Sequence, residues 1–383
     1  MASNPDIRPF RIDIPQTELD DLHRRLDQTR WPDPIPGTES EWSHGIAPDY
    51  LRELADYWAD GFDWRACEAE LNKFDQFTTE IDGQRIHFLH LRSAEPDATP
   101  LLLVPAYPSS FVEFLEMIAP LIDPRAHGAD PKDAFHVVIA SLPGFVFSSP
   151  TSSTGWGPER TAKAFGELMS RLGYERFGTQ AGDIAAAATG QMAAMFPDRV
   201  IGHLQNTDKI VLGMAGEQYP IPDGLTEDDL KGIESARQSW SQQRGYQILI
   251  TTQPNALAMG LTDSPVLQLA WIAEKYRLWI GEKSQISRDK ILTVASLYWF
   301  TRTGGSSTDF YWELSHSSGW SAPANDVVQG TAAFNSTPLL RKIADPGGGN
   351  FFRNHAEGGH FPAFEVPDLL VDDLRAFFRS IPD

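Results

Sequence analysis

The run Arg176-Phe177-Gly178-Thr179-Gln180-Ala181-Gly182-Asp183-Ile184-Ala185-Ala186-Ala187-Ala188 limits what this chain can fold into more than any other stretch. A strand-length segment, Phe177 to Gln180, gives way to small residues, one carboxylate, and small residues again. An apolar helical run follows from Ile184 to about Phe196. This predicts a strand, a sharp turn and a helix, with Asp183 at the tip. Ala181, Asp183 and Ala185 have the small-x-acid-x-small spacing of such an elbow, because larger flanking side chains would collide across so tight a turn. Asp183 would stand above a sheet beside the free N–H groups of a helix N-terminus, where negative charge is favoured. Alone, the stretch reads as well as an Asp cap on an ordinary helix, since Asp is a preferred N-cap.

The surrounding chain repeats the alternation. Leu101-Leu102-Leu103-Val104 is an apolar run of strand length, followed by Pro105-Ala106-Tyr107-Pro108-Ser109-Ser110 and a helical Phe111–Ile122. Phe135–Ala140 is another, ending in Leu142-Pro143-Gly144-Phe145. A helix over Glu159–Leu172 leads to the elbow, and Val200–Leu204 is a further strand ending at Gln205-Asn206-Thr207-Asp208. Strands alternating with helices imply right-handed crossovers and a mostly parallel sheet.

From about Gly213 to Ala324 strand-like runs are scarce, and helical periodicity and aromatics dominate. Asp263-Ser264-Pro265 is a helix start with Pro in its first turn, and Val266, Leu269, Ala273 and Tyr276 mark an apolar face. The core resumes near Val327 and passes through Phe351-Phe352-Arg353 and Glu357-Gly358-Gly359-His360-Phe361 to a helix over Leu369–Phe378. At the other end, Leu19, Leu22 and Leu26 share a helical face, and helices cover Pro48–Trp58 and Trp64–Asn72. Phe77–Ile81 and Arg85–Leu91 flank Asp82-Gly83, the signature of a two-residue hairpin turn. The expected organisation is an N-terminal extension (1–95), a core (96–212), a helical cap (213–325) and the rest of the core (326–383).

Length and charge narrow the classes. A chain of 383 residues suffices for one large domain with an insertion, or for two domains. Net charge is 32 − 52 = −20 with no long Lys/Arg run, so nucleic acid and anionic membrane surfaces are poor partners. The one cysteine, Cys67, excludes an intramolecular disulfide and reads as packed. Neither a signal peptide at Met1–Arg11 nor an apolar run near the roughly 20 residues of a membrane span is evident. This predicts a soluble, cytoplasmic protein. His87 and His90 alternate on a strand, but no Cys or carboxylate cluster accompanies them, so packing is the better reading than metal.

The elbow, Leu142-Pro143-Gly144-Phe145 and Gly358-Gly359-His360-Phe361 together resemble an α/β-hydrolase, and more narrowly the microsomal-type epoxide hydrolases. Supporting motifs are Phe10-Arg11-Ile12-Asp13-Ile14-Pro15, Asp63-Trp64-Arg65 with Leu71-Asn72, Ile86-His87-Phe88-Leu89-His90, Gly245-Tyr246-Gln247-Ile248 and Ser306-Ser307-Thr308-Asp309-Phe310-Tyr311. The resemblance implies Asp183 as a nucleophile forming an alkyl ester, Tyr246 and Tyr311 as acids, and His360 as the base for a hydrolytic water. It implies oxyanion donors at the Tyr107 and Ile184 backbones. A carboxylate suits attack on saturated carbon because it needs no prior deprotonation, and phenols can protonate the departing ring oxygen. No cofactor or metal is implied; the partners are a small hydrophobic epoxide and water, with a homodimer left open. Tyr219, Tyr276 and Tyr298 read as packing. Trp240, Trp271, Trp279, Trp299, Trp312 and Trp320 read as packing and pocket wall.

Three positions depart from the family pattern. The first loop is Pro105-Ala106-Tyr107-Pro108 where the family has His-Gly-Trp-Pro, which keeps the backbone donor but loses the His. Ile184 stands where Trp usually follows the nucleophile; that frees space and suggests a bulkier substrate, in keeping with secondary metabolism. The family's carboxylate after the post-cap strand is missing, since Ala333-Phe334 leads into Asn335-Ser336-Thr337. Asp208, at the end of the strand before the cap, is the expected substitute partner of His360, with Glu357 the weaker candidate. Competing functions are a non-hydrolytic member of the family (an epoxide-opening cyclase or an apolar binding protein) and a haloalkane dehalogenase. The dehalogenase needs N–H donors near the elbow, and Ile184 supplies no indole.

Overall fold

The apolar strand runs pair into one nine-stranded sheet. The computed structural model describes residues 6–317 and 322–382; Trp320 lies outside them. The strands are β1 (Arg8–Phe10), β2 (Gln76–Ile81), β3 (Gln84–Leu91), β4 (Thr99–Val104), β5 (Phe135–Ala140), β6 (Phe177–Gly182), β7 (Val200–Thr207), β8 (Val328–Ala333) and β9 (Phe351–Asn354). Their order is β1-β2-β3-β5-β4-β6-β7-β8-β9. β1 to β3 and the β3–β5 pair are antiparallel, and every pairing from β5 onward is parallel. The sheet is mostly parallel, as the alternation implied, and the chain has the α/β-hydrolase fold that the resemblance implied.

Local chemistry explains the elements. Asp82 and Gly83 both have positive φ (52° and 72°), the geometry of a primed two-residue turn, so β2 and β3 form the expected hairpin. β4 and β6 are central, and Leu101 to Val104, Phe177 and Ala181 are all fully buried. The pre-cap strand β7 runs three residues beyond Leu204, to Thr207, because Gln205, Asn206 and Thr207 continue to pair with β8.

Among the described residues, six helices of eight or more residues lie between β7 and β8: Glu227–Gln243, Gly245–Thr252, Asn255–Asp263, Pro265–Leu278, Arg288–Thr301 and Thr303–Ser315. Val266, Leu269, Ala273 and Tyr276 are buried. The N-terminal helices Gln16–Asp27, Pro48–Asp60 and Trp64–Leu71 fasten to this layer: Trp58 Nε1 donates to Ser296 Oγ (2.9 Å) and Arg25 pairs with Asp263 (3.0 Å). Glu68 and Asn72 hold the preceding chain by accepting from the Ile14 and Ile12 N–H groups (2.8 and 2.9 Å). His87 is buried between Ser141 and Gln76 (3.0 Å each), a packed histidine in a polar network. No single helix among the described residues is long and apolar enough to cross a membrane.

Candidate active site

The elbow forms as its spacing requires. β6 ends at Gly182, and Asp183 opens the helix Asp183–Met195 with φ +51°, a left-handed conformation that costs a non-glycine residue energy. Such strain persists only where the surroundings impose it. Here Ala181 and Ala185 are fully buried on either side, and a Cβ at Gly182 would lie 2.5 Å from the Asn206 side-chain nitrogen. The plain helix-cap reading fails, because the N-cap is Gly182, Asp183 is the first helical residue, and its carboxylate faces other partners.

Those partners converge on one oxygen. Asp183 Oδ2 accepts from the Tyr107 N–H at 3.2 Å and from the Tyr311 hydroxyl at 3.1 Å. His360 Nε2 stands 3.7 Å from the same oxygen and, buried, has no hydrogen-bond partner among the described residues. Tyr311 is fully buried on the Thr303–Ser315 helix, and half-buried Tyr246, on the Gly245–Thr252 helix, lies near it. Burial, then the Asp183 charge, push both phenols well above their ordinary range, so both hold their protons at neutral pH.

His360 follows Gly359 in the loop before the short helix Pro362–Glu365. Its Nδ1 lies 2.8 Å from Asp208 Oδ2, just past β7, and Trp279 packs edge-on against its ring at 4.9 Å. Burial works against charging the imidazole, but the Asp183 and Asp208 carboxylates outweigh it and raise the ring from 6.5 to about 10. Asp208 is itself held by the Ile210 N–H (2.6 Å). Glu357, the weaker candidate, is exposed, and its carbonyl accepts from the Asn335 N–H at 3.3 Å. At the position of the missing family acid, Asn335 turns the chain with φ +45°. Ile184 is fully buried in the first turn of the elbow helix.

Sequence reasoning missed several residues around the site. Trp271 donates from Nε1 to the Tyr107 hydroxyl at 2.5 Å. Tyr276 and Tyr298, expected only to pack, donate to the Pro108 carbonyl (3.3 Å) and the Ser109 carbonyl (2.9 Å). Buried Glu113 accepts from the Ala106 N–H at 3.3 Å. The one available signal was that these partners cluster on the loop that departs from the family pattern. Exposed Trp312 stacks on His316 and takes no part in the site.

A cavity of about 100 Å³ adjoins Asp183 and His360, with Ala186, Asn206, Asp208, Met214 and Tyr219 in its wall. Larger clefts, such as one of about 720 Å³ between Trp156 and the Thr303–Ser315 helix, do not reach the carboxylate. Among the described residues no cluster of His, Cys, Asp and Glu could hold a metal.

Known proteins are similar to this chain along nearly its whole length. The family model described as "Epoxide hydrolase N terminus" matches residues 7–114. Epoxide hydrolase 1 of Sus scrofa is 32% identical over 414 residues, covering 98% of this chain and 89% of that protein. The structure of Aspergillus niger epoxide hydrolase is similar with a TM-score of 0.85 at 31% identity, covering 100% of this chain and 98% of that one. Juvenile hormone epoxide hydrolase from the silkworm Bombyx mori is similar with a TM-score of 0.79 at 26% identity, covering 100% and 96%. With a strained carboxylate at the elbow, a histidine facing it and homology over nearly its whole length, this chain belongs to the epoxide hydrolase family of the α/β-hydrolase superfamily.

Proposed function

We propose that this chain converts an apolar epoxide to a vicinal diol through an ester on Asp183. The observation that carries this reading is the meeting of three groups at Asp183 Oδ2: an N–H from Tyr107, a phenol from Tyr311 and the imidazole of His360. A carboxylate oxygen bonds to one ring carbon, the carbon–oxygen bond of the ring breaks, and the oxygen takes a proton from Tyr311 or Tyr246. Attack removes the negative charge that holds these phenols up, so the phenol becomes a stronger acid in step with the reaction.

The same event changes His360. Once Asp183 is an ester, one of the two carboxylates that keep the imidazole protonated is neutral. The ring's affinity for its proton falls, the Nε2 proton passes to the phenolate left by ring opening, and Nε2 becomes free to take a proton from water. That water attacks the ester carbonyl carbon; the oxyanion is held by the Tyr107 and Ile184 N–H groups, and collapse breaks the ester carbon–oxygen bond, the departing alkoxide taking the imidazolium proton to give the diol while the Asp183 acid returns a proton to the imidazole. Asp208 orients the imidazole and stabilises its charged form, the part a carboxylate plays for a catalytic histidine.

An apolar substrate fits the surrounding rings of Trp271, Trp279 and Phe145. A bulky one, as Ile184 suggested, requires the site to widen, since the cavity of about 100 Å³ adjoining Asp183 is well below the volumes of ligand pockets, roughly 300–1,000 Å³. The Asp208–His360 pair favours hydrolysis over a non-hydrolytic role, because a binding protein or cyclase has no use for an oriented base.

The test is a single turnover of an aromatic epoxide in 18O-labelled water. Label should enter the Asp183 carboxylate while the first diol carries the enzyme's own oxygen. Label found first in the diol would mean direct attack by water and no ester.

A further inference from the structure

The loop that carries the Tyr107 N–H is tied down on both sides of that donor. Before it, the Ala106 N–H is taken by the buried Glu113 carboxylate (3.3 Å). After it, the Pro108 and Ser109 carbonyls accept from Tyr276 (3.3 Å) and Tyr298 (2.9 Å). The two phenols reach the loop from different helices of the layer between β7 and β8, Pro265–Leu278 and Arg288–Thr301, and each is about 1% exposed. A buried tyrosine hydroxyl usually finds some partner, so one such bond would say little. Two that land on consecutive carbonyls, one and two residues beyond the donor N–H, are a different matter. Pro105 and Pro108 lack N–H groups, so this loop has few backbone donors of its own with which to hold itself.

We propose that Tyr276 and Tyr298 are positioning residues: they fix the Pro108 and Ser109 peptides and thereby aim the Tyr107 N–H at the Asp183 carboxyl oxygen. The inference rests on the aspartyl-ester reading. Its consequence is specific to one half-reaction. During ester formation the carboxylate loses charge, so an N–H aimed at it gives the transition state no advantage over the ground state. During ester hydrolysis negative charge appears on that oxygen, and the donor's position matters most. The helical layer over the core would thus set the rate of the second step through the backbone, without touching substrate.

The experiment is Tyr298→Phe, with Tyr276→Phe and the double variant, which keep the rings and remove only the hydroxyls. Ester formation and ester breakdown are measured separately under single-turnover conditions with an aromatic epoxide, alongside thermal unfolding. Breakdown should slow about tenfold or more in the double variant, in line with the cost of displacing one oxyanion donor. Formation should stay within about twofold, so that covalent enzyme accumulates at steady state. Should either single variant fold poorly, the other gives an independent reading. Equal slowing of both steps, or no change in breakdown with only a lower Tm, would overturn the proposal. Absence of any covalent adduct in the wild-type enzyme would instead remove the ester reading, and the positioning role with it.

Discussion

At the scale of single residues, the replaced acid is the sharpest case. Asp208 and His360 are 152 positions apart and meet at 2.8 Å. Asp208→Asn keeps the shape but removes the charge that stabilises the imidazolium. Ester breakdown should fall by about 10²-fold or more, while ester formation, which needs no base, changes little. Rapid-quench detection of the covalent enzyme checks this, and unchanged breakdown would take Asp208 out of the mechanism. Asp208 was legible because the loss of an acid after β8 directed attention to the end of β7. The bonds of Tyr276 and Tyr298 were not legible, because a tyrosine on an apolar helix face looks the same whether its hydroxyl meets water or a carbonyl.

At the scale of the element, the elbow depends on what Gly182 lacks. A side chain there must displace the Asn206 amide and break its 2.7 Å bond from Gln180 Nε2. Gly182→Val should therefore cost about 1–3 kcal/mol, read as a lower Tm, through overpacking of a filled core. It should slow ester formation as well, since the strained Asp183 backbone follows directly. A Tm within error of wild type would show that Asn206 yields freely. The elbow and the Asp82-Gly83 hairpin were both readable in advance, since tight turns demand small residues or positive φ. The extra length of β7 was not, because Gln205-Asn206-Thr207 are strand only by pairing with β8.

At the scale of the whole molecule, buried histidines set the response to acid. His203, on β7, is enclosed beside Thr179 of β6 (3.0 Å), and burial lowers it from 6.5 to about 4; burial lowers His87 to about 3. Between those values and 6.5 the unfolded chain binds more protons than the folded one, so stability rises with pH across that window and is lost as pH falls through it. His360 has the opposite sign: held at about 10, it contributes stability that is complete below 6.5 and disappears as pH rises toward 10. Replacing His203 with Gln should flatten the acid side. Wild type should lose about 2 kcal/mol more than the variant between pH 7 and pH 5, measured by urea unfolding. Parallel curves would mean that His203 is hydrated in the fold.

The amino-acid order alone determined the alternation of strands and helices, the elbow at Asp183 and the hairpin turn, because each follows from periodicity or turn sterics; the pairing of His360 with Asp208 was implied by the resemblance to a known family. Tertiary structure alone decided that three groups converge on one carboxyl oxygen, that the Tyr276 and Tyr298 hydroxyls bond to the Pro108 and Ser109 carbonyls, and that the cavity adjoining Asp183 is small. Those facts depend on distances between segments 76 or more residues apart, and local propensity carries no information about them.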